Sequence, residues 1–351
     1  MNDHQLKLLL DFHREAKLLP LLKHWKESEE VGASYLIAGP EGVGSDEVAR
    51  MLAQFLSCTE NGLSKEAQQV SLFGEIQDTP SSSSPSLEPC GACASCLHPS
   101  FVEIFPEASS SGREGKIKVD QLDVIHSKLG YAADEGQFRI FILHHADHMT
   151  PQAANSLLKV LEEPQPGWVF LLTASDKTLL LPTLLSRSQV ISLTPLPESL
   201  LKDALSPNEA PVLARMSHGS LTRLEEWKDP SAWEFRTLFF DFLKNPARNL
   251  NPLLDRASKD DRHYGLLLDL LESSTHDLLL LSSSSTESNR SVHYDELKSL
   301  EQISQRYRNE FTFLLDRQEE ISQARTYRSV PLNRKLAVQS LLLPWMSEAS
   351  A

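Results

Sequence analysis

Long apolar runs are missing from this chain. No stretch approaches the ~18 residues that crossing a membrane requires, so no membrane-spanning segment is expected. Cysteine is scarce, with four in 351 residues, too few for a disulfide scaffold at this length. Basic residues are outnumbered: 34 Lys and Arg stand against 48 Asp and Glu, for a formal charge of −14. That balance argues against holding nucleic-acid backbones by bulk charge and leaves only a local basic face. The opening Met1-Asn2-Asp3-His4 lacks a basic head followed by an apolar run, so no secretory signal is expected, and the reducing cytoplasm is the expected compartment. The remainder is globular in composition, 40% apolar and 23% charged, with length for two or three domains.

Periodicity divides the chain. Leu6 to Trp25 has apolar residues at helical spacing, Ala33 to Ala38 reads as a short strand ending at Gly39-Pro40, and Asp46 to Leu56 returns to helix. Phe138 to Leu143 is a strand buried on both faces. Thr150-Pro151 then supplies an N-cap and a first-turn proline for a helix with the stripe Ala154, Leu157, Leu158 and Leu161, which Pro164 ends. Trp168 to Thr173 follows as a third strand. Strands alternating with helices imply a parallel α/β sheet. From about Pro197 no strand is expected, and Phe235–Leu243, Tyr264–Leu271, Tyr294–Arg317 and Arg334–Leu343 read as helices. Two serine-rich stretches, 79–89 and 282–291, are expected to be solvated loops.

Between the first strand and its helix lies Gly39-Pro40-Glu41-Gly42-Val43-Gly44-Ser45-Asp46, the setting of a phosphate-binding loop, G-x-x-x-x-G-K-[ST]. Gly39 and Gly44 match, and Gly42 adds a third glycine. Ser45 stands where lysine should reach the phosphates, and Asp46 where a hydroxyl should hold Mg²⁺. A carboxylate in a helix's first turn takes the electrostatic niche that a triphosphate needs and repels it. The segment reads as a glycine turn with no ligand, with weak nucleotide binding as the alternative. At the next buried strand a P-loop ATPase carries acids for Mg²⁺ and water. Here it runs into His144-His145-Ala146-Asp147-His148, and Mg²⁺ prefers oxygen ligands. Adjacent strand residues point to opposite faces, which sets His144 and His145 apart and disfavours zinc there.

All four cysteines fall into one pattern, Cys58 followed by Cys90, Cys93 and Cys96 in C-x-x-C-x-x-C. Such spacing suits one tetrahedral Zn²⁺ in a closed, structural site, with an iron–sulfur cluster or free thiols as the alternatives. Ser186-Arg187-Ser188 would in isolation read as an ordinary solvated or paired arginine.

The order of these pieces resembles the bacterial clamp-loader ATPases of the AAA+ class, the γ/τ and δ′ family of DNA polymerase III. Asn155 to Pro164, N-S-L-L-K-V-L-E-E-P, is similar to that family's N-A-L-L-K-T-L-E-E-P. Leu184 to Ser188 resembles its S-R-C segment with Ser188 in place of cysteine, and the inserted four-cysteine module is a family hallmark. Ala214 to Leu221 resembles the lid-domain A-x-x-x-x-G-S-L, with Thr222 where an arginine should follow and Arg223 one position later. Asn333 to Leu343 is similar to the terminal collar helix.

The resemblance implies an AAA+ domain over 1–195 with a degenerate P-loop and a zinc module at 58–100. A helical lid at 196–235 and a helical collar at 236–351 complete it. The lost lysine resembles the δ′ type, in which Arg187 acts as an arginine finger on a neighbouring γ subunit and ATP is not expected to bind productively. Implied partners are γ/τ and δ subunits in a hetero-pentamer, the sliding clamp and primed DNA, in a bacterial replisome near the nucleoid. Two rival readings are an active γ/τ-like ATPase, which must bind nucleotide without the lysine, and a zinc-bearing AAA+ adaptor outside replication.

Overall fold

The computed structural model describes residues 3–63, 87–107, 115–128, 133, 136–206, 211–283, 290–307, 310–326 and 333–347. The serine-rich stretch at 79–89 lies outside these up to Ser86, and 284–289 of the second stretch lie outside them too. The chain divides into two compact units, Met1–Leu196 and Pro197–Ala351.

The first unit opens with α1 (Asp3–His13), a π-helical segment (Arg14–Leu18) and α2 (Leu19–Ser28). Its buried positions Leu9, His13, Leu18, Leu22 and Trp25 follow a helical period except at the step from 13 to 18, where the wider turn takes up one extra residue. β1 (Ser34–Ala38) leads into α3 (Ser45–Ser57), the short α4 (Ala94–Leu97), β2 (Val102–Ile104) and α5 (Asp123–His126). Then come β3 (Arg139–Leu143), α6 (Pro151–Glu162), β4 (Trp168–Ala174), α7 (Pro182–Leu185) and β5 (Gln189–Ser192).

All strand pairs are parallel, in the order β2-β3-β4-β1-β5. Strand alternation builds two cores. Leu36, Phe141, Leu143, Phe170 and Leu172 face Leu157 and Val160 of α6, while Tyr35, Ile37, Ile140, Ile142, Val169 and Leu171 face Leu22 and Trp25 of α2 and Val48 and Leu52 of α3. The expected cap of α6 is present, with Thr150 Oγ1 accepting from Ala153 N–H at 3.2 Å. Its buried stripe includes Ala153 and Val160, and Leu158 is only half-buried. The two strands that periodicity missed are the sheet's edges: β2 has three residues, and of β5 only Ile191 is buried.

The second unit is helical throughout its described residues. It comprises α8 (Glu198–Asp203), α9 (Val212–Met216), α10 (Leu221–Lys228), α11 (Pro230–Lys244), α12 (Pro246–Ala257) and α13 (Asp261–Ser283). These are followed by α14 (Leu297–Arg306), α15 (Phe311–Thr326), α16 (Arg334–Leu342) and α17 (Pro344–Ser347). The boundary expected at 235 therefore falls inside α11. No helix among the described residues is long and apolar enough to cross a membrane.

Phe235, Phe239, Phe240 and Phe242 of α11 fill this unit's core around a buried polar network. The fully buried Asp277 accepts from Ser291 Oγ at 2.8 Å, Val292 N–H at 2.8 Å and His293 N–H at 2.9 Å. Burial alone would raise its carboxyl, but His276 and these N–H groups bring it below the ordinary aspartate value. The buried His293 reaches Ser273 Oγ at 2.8 Å, and burial beside Arg236 pushes the imidazole down to about 3. Removing Asp277 would strand three donors. Asp277→Ala is expected to destabilise the helical unit by ~3 kcal/mol, and Asp277→Asn, which keeps an acceptor, by less. Urea denaturation followed by hydrogen exchange in α13 checks this; an alanine variant as resistant as the parent would show that the network contributes little.

Candidate functional site

Ligands of open parallel sheets bind beyond the strands' carboxyl ends, and the loop from Gly39 to Asp46 occupies that edge here. Gly39 N–H donates to Ala174 O at 3.1 Å, tying the loop to β4. Gly42 and Gly44 take positive φ, 77° and 93°, so the glycines keep the shape of a phosphate-binding turn. The loop is also clasped from outside. His13 Nε2 lies 2.7 Å from Val43 O, and a Cβ on Gly44 would meet Leu9 at 2.5 Å. These contacts turn α1 into a brace for the loop.

Asp46 sits in the first turn of α3, where a hydroxyl would hold Mg²⁺ in an active loop. Its Oδ1 accepts from Thr173 Oγ1 at 2.6 Å and lies 2.9 Å from His144 Nδ1, and its Oδ2 lies 3.5 Å from His145 Nε2. His144 is fully buried, stacks on Phe105 with ring centroids 4.2 Å apart, and reaches Glu103 Oε1 at 3.2 Å through Nε2. Arg50 Nε donates to the same Glu103 oxygen at 2.7 Å. A continuous chain of Arg50, Glu103, His144, Asp46 and Thr173 thus ties α3 to the ends of β2, β3 and β4. Burial by itself would raise the Asp46 carboxyl, but the close His144 ring, the hydrogen bond from Thr173 and the nearby His145 hold it below the usual range.

The expectation that His144 and His145 point apart does not hold. His145 adopts a left-handed conformation with φ 51°, so strand alternation ends at His144 and both rings converge on Asp46. Asp147, the one acid in this segment, is engaged elsewhere: its Oδ2 accepts from Ser175 N–H and Oγ and from Asp176 N–H at 2.6 to 3.0 Å. It shapes the turn after β4. Thr173 and Glu103 are partners that periodicity did not single out, because each sits within a strand and only the tertiary fold brings it to α3.

The four cysteines come together as the spacing implied. All four sulfurs lie within 4.8 Å of one another. Cys58–Cys93 and Cys90–Cys96 are each 3.9 Å apart, against about 3.8 Å for the edge of a tetrahedron with 2.3 Å metal–sulfur bonds. Asn61 and Cys90 N–H groups donate to Cys58 Sγ at 3.3 and 3.4 Å, and Ala92 and Cys93 N–H groups to Cys90 Sγ at 3.4 and 3.2 Å. Donors aimed at sulfur favour thiolates, the form that ligates metal. Desolvation raises the thiols, yet Thr59 and Cys96 hold Cys93 down at about 6, while desolvation and the Cys93 contact push Cys96 up to about 12. The cluster can hold a single metal ion and leaves no protein-free position for chemistry.

Arg187 follows α7 and is exposed. Its Nη2 donates to Glu162 Oε1 at 2.8 Å and its Nη1 to Thr183 O at 3.2 Å, so the guanidinium is held at two points. Ser188 Oγ lies 2.8 Å from Ser34 Oγ on β1, which anchors the backbone beneath it. In the helical unit, Ser220 caps α10 by accepting from Arg223 N–H at 3.1 Å, and the Arg223 guanidinium lies 3.6 Å from Asp269.

Two outcomes are expected of these sites. The Asp46 carboxylate contributes stability that is complete above its unfolded pKa of ~3.9 and is lost as pH falls through its depressed folded value. Asp46→Asn is therefore expected to flatten the acid limb of stability, read as hydrogen exchange in α3 between neutral pH and pH ~3; an unchanged limb would detach Asp46 from that transition. Elemental analysis of the purified chain is expected to find about one tightly held divalent ion, and little in Cys93→Ser. Equal metal content in both would contradict the four-sulfur site.

A sequence model of the family described as DNA polymerase III, delta subunit, matches residues 14–197, more than half of the chain. The δ′ subunit of Bacillus subtilis DNA polymerase III is 28% identical over 234 residues, covering 62% of each protein. The δ′ subunit of Haemophilus influenzae is 29% identical over 186 residues, covering 50% of this chain and 48% of that one. The γ/τ subunit of Mycobacterium bovis is 26% identical over 186 residues, covering 51% of this chain and 27% of that protein. The chain spans less than two thirds of the length of each of these relatives. With its parallel sheet, degenerate phosphate loop and inserted cysteine module, the chain belongs to the DNA polymerase III delta-subunit family, as a δ′-like member of the clamp-loader group.

Proposed function

We propose that this chain is a non-hydrolysing δ′-type subunit of a clamp loader, one that supports loading of a sliding clamp onto primed DNA and offers Arg187 to a neighbouring ATPase. The observation that carries the reading is the state of Asp46. In an active loop the first turn of α3 and the end of β3 face each other across Mg²⁺ and phosphate. Here Asp46 spans that gap to Thr173 and His144 directly, at 2.6 and 2.9 Å. Ser45 supplies no cation in lysine's place, and a carboxylate in the first turn of the helix repels a triphosphate. The same contacts disfavour the γ/τ-like motor reading, which needs that space for nucleotide.

An arginine given to a neighbour's site stabilises charge developing on the transferred phosphoryl group, an effect of about 10³–10⁵ in rate for GTPases. Arg187 is exposed, and Glu162 and Thr183 orient it. Its expected neighbours are γ/τ-type ATPase subunits in a hetero-pentamer with a δ subunit, in the bacterial cytoplasm at the replisome. The four cysteines then hold structural Zn²⁺, residues 196–235 form the lid and 236–351 the collar, with α11 carrying the chain from one to the other. Arg223, engaged with Asp269, is not offered for nucleotide sensing.

The test is reconstitution with γ/τ and δ subunits, clamp and primed DNA from the same source. Arg187→Ala is expected to leave assembly intact and to slow the one ATP site it completes by ~10³-fold, seen as a partial loss of DNA-stimulated turnover. Full turnover in a verified complex would count against the finger. Tight ATP binding by the isolated chain would instead favour the motor reading.

A further inference from the structure

We infer that Lys26 is a positioning residue for the metal module, locking the turn that carries the first sulfur ligand from outside the coordination shell. The inference rests on the reading that the four cysteines hold a divalent ion. Lys26 lies on α2, far in sequence from the cysteines and half-buried. Its Nζ donates to Asn61 O at 2.6 Å and to Gly62 O at 2.7 Å, and lies 5.9 Å from the centre of the Phe55 ring. Asn61 is therefore pinned at both ends, with its carbonyl on the ammonium and its N–H on Cys58 Sγ at 3.3 Å.

A solvated surface lysine does not account for this arrangement. The turn it grips is folded tightly back on α3: a Cβ on Gly62 would clash with Phe55 O and Cys58 O. The carbonyls of Phe55, Cys58, Asn61 and Gly62 therefore crowd the C-terminal end of α3, the negative end of its dipole. A dication with four thiolates carries net negative charge, so it adds to the same field. The ammonium meets that field while satisfying two carbonyls, and it aligns the Asn61 N–H toward sulfur. Groups that orient ligands in this way typically alter metal affinity 10–100-fold.

The experiment uses the full chain loaded with Zn²⁺ and follows transfer of the metal to excess chromogenic chelator. Lys26→Met keeps the apolar stem and removes the donors; Lys26→Arg keeps the charge and two donors. Lys26→Met is expected to release Zn²⁺ about 10- to 100-fold faster than the parent, with Lys26→Arg close to the parent. Should the methionine variant lose its far-UV dichroism, Lys26→Gln, which removes the charge and keeps a single amide nitrogen as donor, makes the same comparison. Release at the parent rate from a folded variant would overturn the role of Lys26 while leaving the metal site standing, as would equally fast release from the methionine and arginine variants. A parent chain that takes up no Zn²⁺ would overturn the metal reading and this inference with it.

Discussion

The carboxyl edge of the sheet is organised by one half-buried carboxylate at the head of α3. Asp46 sits where the helix dipole favours negative charge, and it takes its partners from three directions: the hydroxyl of Thr173, the ring of His144 and the more exposed ring of His145. A desolvated carboxylate survives only when it is hydrogen-bonded and close to donors or positive charge. Once aspartate occupies this position, the ends of β3 and β4 are bound to supply such groups. The left-handed turn at His145, the stacking of His144 on Phe105 and the Glu103–Arg50 pair all follow from that demand. The loop has the backbone shape of a phosphate-binding turn, and the helix that follows it is in direct contact with the ends of β3 and β4.

The same α/β frame that carries this loop also carries the other two groups. Arg187 follows a short helix, and the next residue, Ser188, contacts Ser34 of β1, which ties this turn to the sheet. The cysteine module is joined to the same frame through Cys58, which is buried at the end of α3. Arg187 is thus anchored at β1 and the cysteine module at α3, consecutive elements of one frame.

Much of this was legible in the residues. Gly39 and Gly44 marked the loop, and the C-x-x-C-x-x-C run with Cys58 the cluster, because each signal is local and its spacing has a geometric meaning. The central strands β1, β3 and β4 were readable as apolar runs, since strands covered on both faces have nothing polar to alternate with. The edge strands β2 and β5 were not, for they are short and mostly uncovered. Nor could sequence alone place Thr173 beside Asp46, 127 positions apart, or show that a left-handed residue would turn His145 toward the same carboxylate. The helical unit was legible as helices, and its buried centre at Asp277 and His293 was not, because a polar residue at a helical position reads as solvated until its neighbours are known.

The π-helical segment at Arg14–Leu18 lets one continuous run of chain serve two surfaces at once. Before it, Leu9 and His13 meet the glycine loop; after it, Leu18, Leu22 and Trp25 meet the sheet. In an unbroken α-helix each residue turns the face by ~100°, so His13 and Leu18, five positions apart, would point ~140° away from each other; the wider turn takes up the extra residue and keeps both on the inner face. The brace on the loop is thus specified by a residue count as much as by residue identity. A single deletion there would restore the four-residue step of a plain α-helix and keep that phase, whereas a single insertion, with no second wide turn to absorb it, would swing the N-terminal helix away from the loop without altering any residue that touches it.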